Sequence, residues 1–160
     1  MAKPVYQTAM QIVRGDLIRL ALDGVFDVVV HGCNCQCVMG AGIAKAIRSA
    51  FPAAFEADRA TTAGDRGKLG TFSSAQIVVD GHVITVINAY TQFHWRGRKP
   101  LVDYDAIRKV FGAIRSSFSG RRIGYPKIGA GLAGGDWPTI AAIIDEALAG
   151  EDHKLVEYAS

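Results

Sequence analysis

The sequence predicts an α/β fold: a three-layer α/β/α arrangement with a central mixed β-sheet. Three observations carry that expectation. Segments of strand and helix character alternate along 160 residues, a length that suits one domain with one well-buried core. Residues 26–31, FDVVVH, form a β-branched run of the kind buried on both faces of a sheet. Two glycine-rich segments, 40–42 and 129–135, each lead from a strand into a helix.

The elements follow in order. Residues 8–14 read as a strand, and 26–31 as the buried one. A helix is expected over about 42–50, with Ile43, Ile47 and Phe51 on one face, and another over 53–62 with Pro52 in its approach or first turn. Residues 70–79 and 82–88 are strands joined at Asp80-Gly81, a strong hairpin turn. Over 103–118, Ile107, Val110, Phe111, Ile114 and Phe118 recur at helical spacing. Residues 121–126 are a strand, 137–149 a helix carrying Ile140, Ile143, Ile144 and Leu148, and 154–159 the last strand. Such alternation gives a mixed sheet with helices on both faces. No repeat or linker interrupts residues 1–160, which are expected to form a single domain.

Composition narrows the function classes. The chain is 49% hydrophobic and 21% charged, ordinary for a globular protein. A net charge of +3 is too small to mark a nucleic-acid surface by itself, yet it suits an anionic ligand. No stretch approaches the roughly 20 apolar residues of a transmembrane helix. The first residues, MAKPVYQTAMQ, lack the apolar core of a secretory signal, so a cytoplasmic protein without a membrane partner is expected. Cys33, Cys35 and Cys37 are odd in number and alternate along an extended segment, an arrangement that disfavours disulfides. Together with His31 they are zinc-ligand types, but their spacing is tight and no second cluster joins them. No metal and no cofactor are assigned.

The chemistry is expected at the two glycine turns. In HGCNCQCVMGAGIAKAI, 31–47, a buried strand gives way to a polar loop, and Gly40-Ala41-Gly42 opens a helix. Glycines let backbone approach a ligand, and a helix N-terminus offers N–H groups and partial positive charge to a phosphate. YPKIGAGLAGGDWPTI, 125–140, repeats the logic. Two such turns can flank one diphosphate at the carboxyl ends of strands. The dinucleotide and P-loop fingerprints are both absent.

RGDL at 14–17, VVVHGCNCQCVMGAGIA at 28–44, VINAYTQ at 86–92 and YPKIGAGLAGGDW at 125–137 resemble the macrodomain family, in order and over most of the chain. The His-x-Cys-Asn sequence at 31–34 is most similar to the branch of yeast-type ADP-ribose 1″-phosphate phosphatases and ALC-like terminal ADP-ribose glycohydrolases. The resemblance implies a macrodomain fold, ADP-ribose or a derivative as ligand, and an ADP-ribosylated protein or nucleic acid as a further partner. It places Asp16 on the adenine amino group with Leu17 beside it, and Asn34 on the distal ribose. Gly40, Ala41, Gly42 and Ile43 line the first phosphate turn; Gly129, Ala130, Gly131, Leu132 and Ala133 line the second; Tyr158 packs on adenine. Each has a plainer role too: Asp16 as a helix cap, Asn34 as a turn residue, Tyr158 in the core.

The departures from the family pattern bear on mechanism. The glycohydrolases of this branch use a lysine after the strand that here reads VINAYTQ, where Ala89 or Gln92 stands, and an aspartate where Ala133 stands. Neither Ala89 nor Gln92 can form a covalent adduct with a sugar carbon, so a lysine-dependent mechanism is excluded on this reading. His31 and Asp136 remain as catalytic candidates, His31 as acid or base and Asp136 as the group orienting water. His31 is equally compatible with a core histidine, and Asp136 with a cap beside Pro138. The basic, aromatic segment FHWRGRKP, 93–100, adjoins the expected pocket; it is either a ligand or nucleic-acid contact or a solvated loop. Two functions follow: hydrolysis at the 1″ position of ADP-ribose, with release of phosphate or of an adduct, and non-catalytic reading of ADP-ribose.

Overall fold

The computed structural model describes residues 10–159, so residues 8 and 9 of the first expected strand lie outside it. In chain order the elements are β1 (Gln11–Gly15), α1 (Leu17–Leu22), β2 (Val28–Cys33), α2 (Gly42–Ala50), α3 (Pro52–Arg59), a 3₁₀ turn (Arg66–Lys68), β3 (Phe72–Val79), β4 (His82–Tyr90), α4 (Tyr104–Phe118), β5 (Ile123–Tyr125), α5 (Trp137–Ala147) and β6 (His153–Tyr158). The 3₁₀ turn has no counterpart among the expected elements, while α1 follows Asp16, the position read as a possible helix cap. The other boundaries fall close to the expected ones, because apolar periodicity and the Asp103 and Asp136 caps mark them.

The strands lie in the order β1-β6-β5-β2-β4-β3. All neighbouring pairs are parallel except the β3–β4 hairpin, so five strands end at one edge of the sheet. Side chains alternate across β2 and divide the core in two. Val29 packs with Ala21, Ile47, Phe51 and Ala54, beneath α1, α2 and α3. Val28 and Val30 pack with Ile107, Phe111, Ile140 and Ile144, beneath α4 and α5. The result is the expected three-layer α/β/α fold with a mixed sheet.

Between β2 and β5 the chain changes face. It leaves β2 for α2 on one side and β5 for α5 on the other. Open α/β sheets bind ligands at such a switch point. The opposite end is fastened by Arg122, whose backbone N–H and Nε meet Asp27 Oδ2 at 2.9 and 3.1 Å while a terminal nitrogen meets Oδ1 at 2.9 Å. Those bonds hold the Asp27 carboxyl at about 2, below the usual carboxylate range.

His31 corrects one expectation. It does not reach the ligand edge; it is wholly buried on the Val29 face of β2, beneath α3. Its Nε2 lies 2.7 Å from Asn88 Oδ1, an acceptor, so Nε2–H donates. Asn88 Nδ2 in turn donates to Ala54 O at 2.9 Å and Ser73 Oγ at 3.0 Å. Burial pulls the imidazole down to about 4, because the charged form would lose its hydration. A neutral, enclosed imidazole is a packing group, and the catalytic role is withdrawn.

That depressed value makes stability pH-dependent. The unfolded imidazole titrates near its ordinary value of 6.5, and the folded one near 4. Its contribution is fully present above about pH 6.5 and is lost as pH falls toward 4, by about 3 kcal/mol at most. Urea unfolding from pH 7.5 to 4.5 should show this loss, and His31→Gln should flatten it. An equal slope in the variant would assign the titration to another group.

Candidate functional site

A cleft of about 770 Å³ opens at the sheet edge between β2 and β5. Gly32 and Cys33 at the end of β2, with Gln92 and Asp58, line its depth; Asn34 and residues 38–44 form one wall, and residues 126–129 and 131–133 most of the other. Trp95 and Lys99 reach it from the loop after β4.

The first wall is a helix N-terminus without a side-chain cap. Ala41 is the N-cap of α2 and makes no side-chain bond there. Asp16, Asp103 and Asp136, by contrast, cap α1, α4 and α5. The first-turn amides of α2, at Gly42, Ile43 and Ala44, therefore belong to the cleft. Gly42 has φ +58°, a left-handed backbone that glycine adopts without strain.

The second wall is a loop folded on itself. Gly135 N–H donates to Gly129 O at 2.7 Å, Gly134 N–H to Gly131 O at 3.0 Å, and Leu101 N–H to Ala133 O at 2.8 Å. Gly129 has φ +74°, and a Cβ there would stand 2.7 Å from Val102. Among the described residues, no acceptor meets the N–H groups of Gly131, Leu132 and Ala133. Ala133 sends its side chain into the α4–α5 core and offers the cleft only backbone. Ala130 packs against that core and is not part of the cleft wall.

Asn34 combines both roles open to it. Its Oδ1 accepts from Gln36 N–H at 2.9 Å, a local turn, while the residue lines the cleft. Asp16, Leu17 and Tyr158 stand apart from it, at the ends of β1 and β6. Asp16 accepts from Arg19 N–H at 3.1 Å, Leu17 is buried, and Tyr158 is exposed. One side chain spans the interval: Lys127, on the cleft wall, pairs with Glu157 at 3.5 Å.

Asp136 corrects the second catalytic expectation. It lies outside the cleft and caps α5, accepting from Thr139 N–H at 3.2 Å and Thr139 Oγ1 at 2.5 Å. Tyr104 Oη receives its backbone N–H at 3.0 Å. Of the two positions considered for a lysine, Ala89 is buried in β4 and Gln92 faces the cleft. Cys33, Cys35 and Cys37 are free thiols, and no metal-ligand cluster of three occurs among the described residues. Burial pushes the Cys33 thiol well up.

Sequence reasoning missed Asp58, Lys68 and Tyr90. They form a buried polar group beside the depth of the cleft, where Asp58 Oδ1 accepts from the Tyr90 hydroxyl at 2.7 Å. Asp58 follows Ala54 by one helical turn on the buried face of α3, and that spacing is the one signal that points to it. In the segment 93–100, His94 stacks on Trp95 at 4.0 Å, and Trp95 is exposed at the cleft.

Residues 30–144 match the model of the Macro domain family. The chain belongs to that family. It is 33% identical over 141 residues to an uncharacterised 17.5 kDa protein of Enterobacteria phage T4, covering 85% of this chain and 88% of that protein. It is 30% identical to a Mycobacterium tuberculosis protein named DNA ADP-ribosyl glycohydrolase over 79% of this chain, but spans only 35% of that protein. A Neosartorya fischeri protein named ADP-ribose 1″-phosphate phosphatase is 44% identical over 55 residues, 34% of this chain and 26% of its own length. Among solved structures, the macrodomain of Mycobacterium tuberculosis DarG superposes with a TM-score of 0.68 at 24% identity, covering 95% of this chain and 99% of that one.

Capping and catalysis make different demands on Asp136. Asp136→Ala should lower stability by about 1 kcal/mol, the usual loss of an N-cap, and leave the cleft's ligand affinity unchanged. Thermal unfolding and calorimetry on one preparation would check both; loss of affinity without loss of stability would return Asp136 to the site.

Proposed function

We propose that this macrodomain binds ADP-ribose in the β2–β5 cleft and hydrolyses the bond joining its distal ribose C1″ to an anionic substituent. The observation that carries the reading is the pair of facing backbone surfaces. The uncapped N-terminus of α2 and the loop amides of Gly131, Leu132 and Ala133 approach one cleft from opposite sides. Two sets of N–H donors with few side chains suit a diphosphate. Asn34 then meets the distal ribose, and adenine extends past Lys127 toward Asp16, Leu17 and Tyr158 at the ends of β1 and β6.

The relatives named for DNA ADP-ribosyl glycohydrolase and ADP-ribose 1″-phosphate phosphatase activity support chemistry at the distal ribose. The basic residues Arg96, Arg98 and Lys99, next to Trp95, favour a substituent that carries phosphate, either phosphate itself or a nucleic-acid strand. With Ala89 or Gln92 in place of a lysine, and Gln92 on the cleft, the reaction is attack by water rather than formation of a covalent lysine adduct.

ADP-ribose should bind in the micromolar range, about −8 kcal/mol. Gly131→Glu separates binding from folding: a Cβ there meets nothing within 4 Å, so the fold should persist. The added carboxylate would project beside the phosphates, and affinity should fall below detection by calorimetry. Retained micromolar affinity would move the diphosphate elsewhere.

Asp16→Ala should weaken ADP-ribose by roughly 1–3 kcal/mol if Asp16 accepts from the adenine amino group. Unchanged affinity would reduce Asp16 to its capping role. Turnover is read as phosphate release from ADP-ribose 1″-phosphate and as ADP-ribose release from ADP-ribosylated DNA. Tight binding without either product would make the chain a reader of ADP-ribose instead.

A further inference from the structure

The depth of the cleft holds a carboxylate that the binding reading leaves unused. Asp58, on the last turn of α3, is 1% exposed, and it is the only carboxylate lining the cleft among the described residues. Its Oδ1 accepts from the Tyr90 hydroxyl, while its Oδ2 is buried and has no hydrogen-bond partner there. Buried carboxylate oxygens are nearly always paired, since an unpaired one forfeits its hydration for nothing. An orphan oxygen beside a ligand cleft fits a partner that arrives with the ligand.

Elimination leads to the same group. The other polar side chains on the cleft are the Asn34 and Gln92 amides, which do not take up protons, the Lys99 and Lys127 ammonium groups, the Trp95 indole, and the Cys33 thiol. We infer that Asp58 is the general base of this cleft, its Oδ2 taking the proton from the water that attacks C1″ of the distal ribose. The inference rests on the hydrolase reading above. Water oxygen bonds to C1″, and the bond from C1″ to the leaving oxygen breaks with its electron pair on that oxygen. The proton held by Asp58 then passes to the leaving group, which restores the carboxylate and gives ADP-ribose and the protonated product.

The surroundings make this carboxylate a stronger base than a solvated one. Desolvation pushes the Asp58 carboxyl up, offset in part by the Tyr90 hydrogen bond and the Lys68 charge. The titratable groups around it are Tyr90 from β4, Lys68 from the 3₁₀ turn, and Cys33, Cys35 and Cys37 from β2 and the loop after it. Lys68 Nζ is held off in a fixed place, donating to Cys35 O at 3.2 Å and Cys37 Sγ at 3.3 Å, 4.5 Å from the Tyr90 ring centre. Its charge favours the carboxylate without closing an ion pair over Oδ2.

Two variants test this by turnover and calorimetry side by side. Asp58→Asn keeps the shape and an oxygen for Tyr90 but cannot accept a proton. It should bind ADP-ribose within about threefold of wild type while kcat falls about 10²–10⁴-fold. Tyr90→Phe removes a donor that stabilises the carboxylate, so the acid limb of the kcat/KM profile should move to higher pH. Turnover by Asp58→Asn within about threefold of wild type overturns the base, as does an acid limb unmoved in Tyr90→Phe. If Asp58→Asn fails to fold, the Tyr90→Phe profile decides alone. Wild-type protein that binds ADP-ribose but releases nothing from any conjugate overturns the hydrolase reading, and the base with it; an active wild type with an active Asp58→Asn overturns the base only.

Discussion

β2 and β5 pair over a short register, Val28 with Ile123 and Val29 with Gly124, and then separate. β2 continues beside β4 as far as Cys33 opposite Tyr90, whereas β5 ends at Tyr125 and its chain turns away. The ends of β2 are thus paired on one side and open on the other, and Gly32 and Cys33 become the depth of a cleft. The short pairing has a steric requirement of its own. A Cβ on Gly124 would stand 2.7 Å from the ring of Phe26, which fills the space behind the two strands. The gap at one end of the ladder therefore depends on close packing at the other, where the Asp27–Arg122 bonds also hold β2 and β5 together.

The cleft walls are mostly backbone, and this separates anion recognition from chemistry. Amide donors at α2 and at Gly131–Ala133 are positioned by turns and helix geometry, not by particular side chains. The positions where the resemblance expects a lysine and an aspartate, Ala89 or Gln92 and Ala133, can therefore change without disturbing those donors. Ala133 has its side chain in the core, and Gln92 is held through Nε2 by His94 O at 3.1 Å. Reactivity then depends on the few side chains that do face the space.

Much of the fold was legible because its signals are periodic. The apolar stripe of α4, the β-branched run of β2 and the Asp80-Gly81 turn each report a local geometry directly. The two glycine turns were legible for a related reason: left-handed backbone at Gly42 and Gly129 tolerates little else. Side-chain direction was harder to read. His31 stands near a strand end, where ligands gather, but strand parity places it with Val29 under α3. Asp136 carries the cap signature that any helix start displays, and the cap is the role it fills. Asp58 and Lys68 were missed because a charged residue in a short helix or an irregular turn reads as solvated surface until tertiary packing encloses it.

His31 nevertheless bears on the site, through packing rather than proton transfer. Its imidazole fixes Asn88 Oδ1, which leaves Nδ2 free to hold the carbonyl of Ala54 at 2.9 Å. Ala54 lies one helical turn before Asp58 on the same buried face of α3. A hydrogen-bond chain thus runs from the central strand, through β4, to the helix carrying the cleft carboxylate. Tyr90, two residues beyond Asn88 on β4 and so on the same face, makes the second attachment at Asp58 itself. Helix α3 is short and has no side-chain cap, so it gains little stability on its own. Two buried polar attachments from one face of one strand set both its position and the direction of its carboxylate. The residue expected to perform the chemistry instead helps to hold in place the one assigned to it.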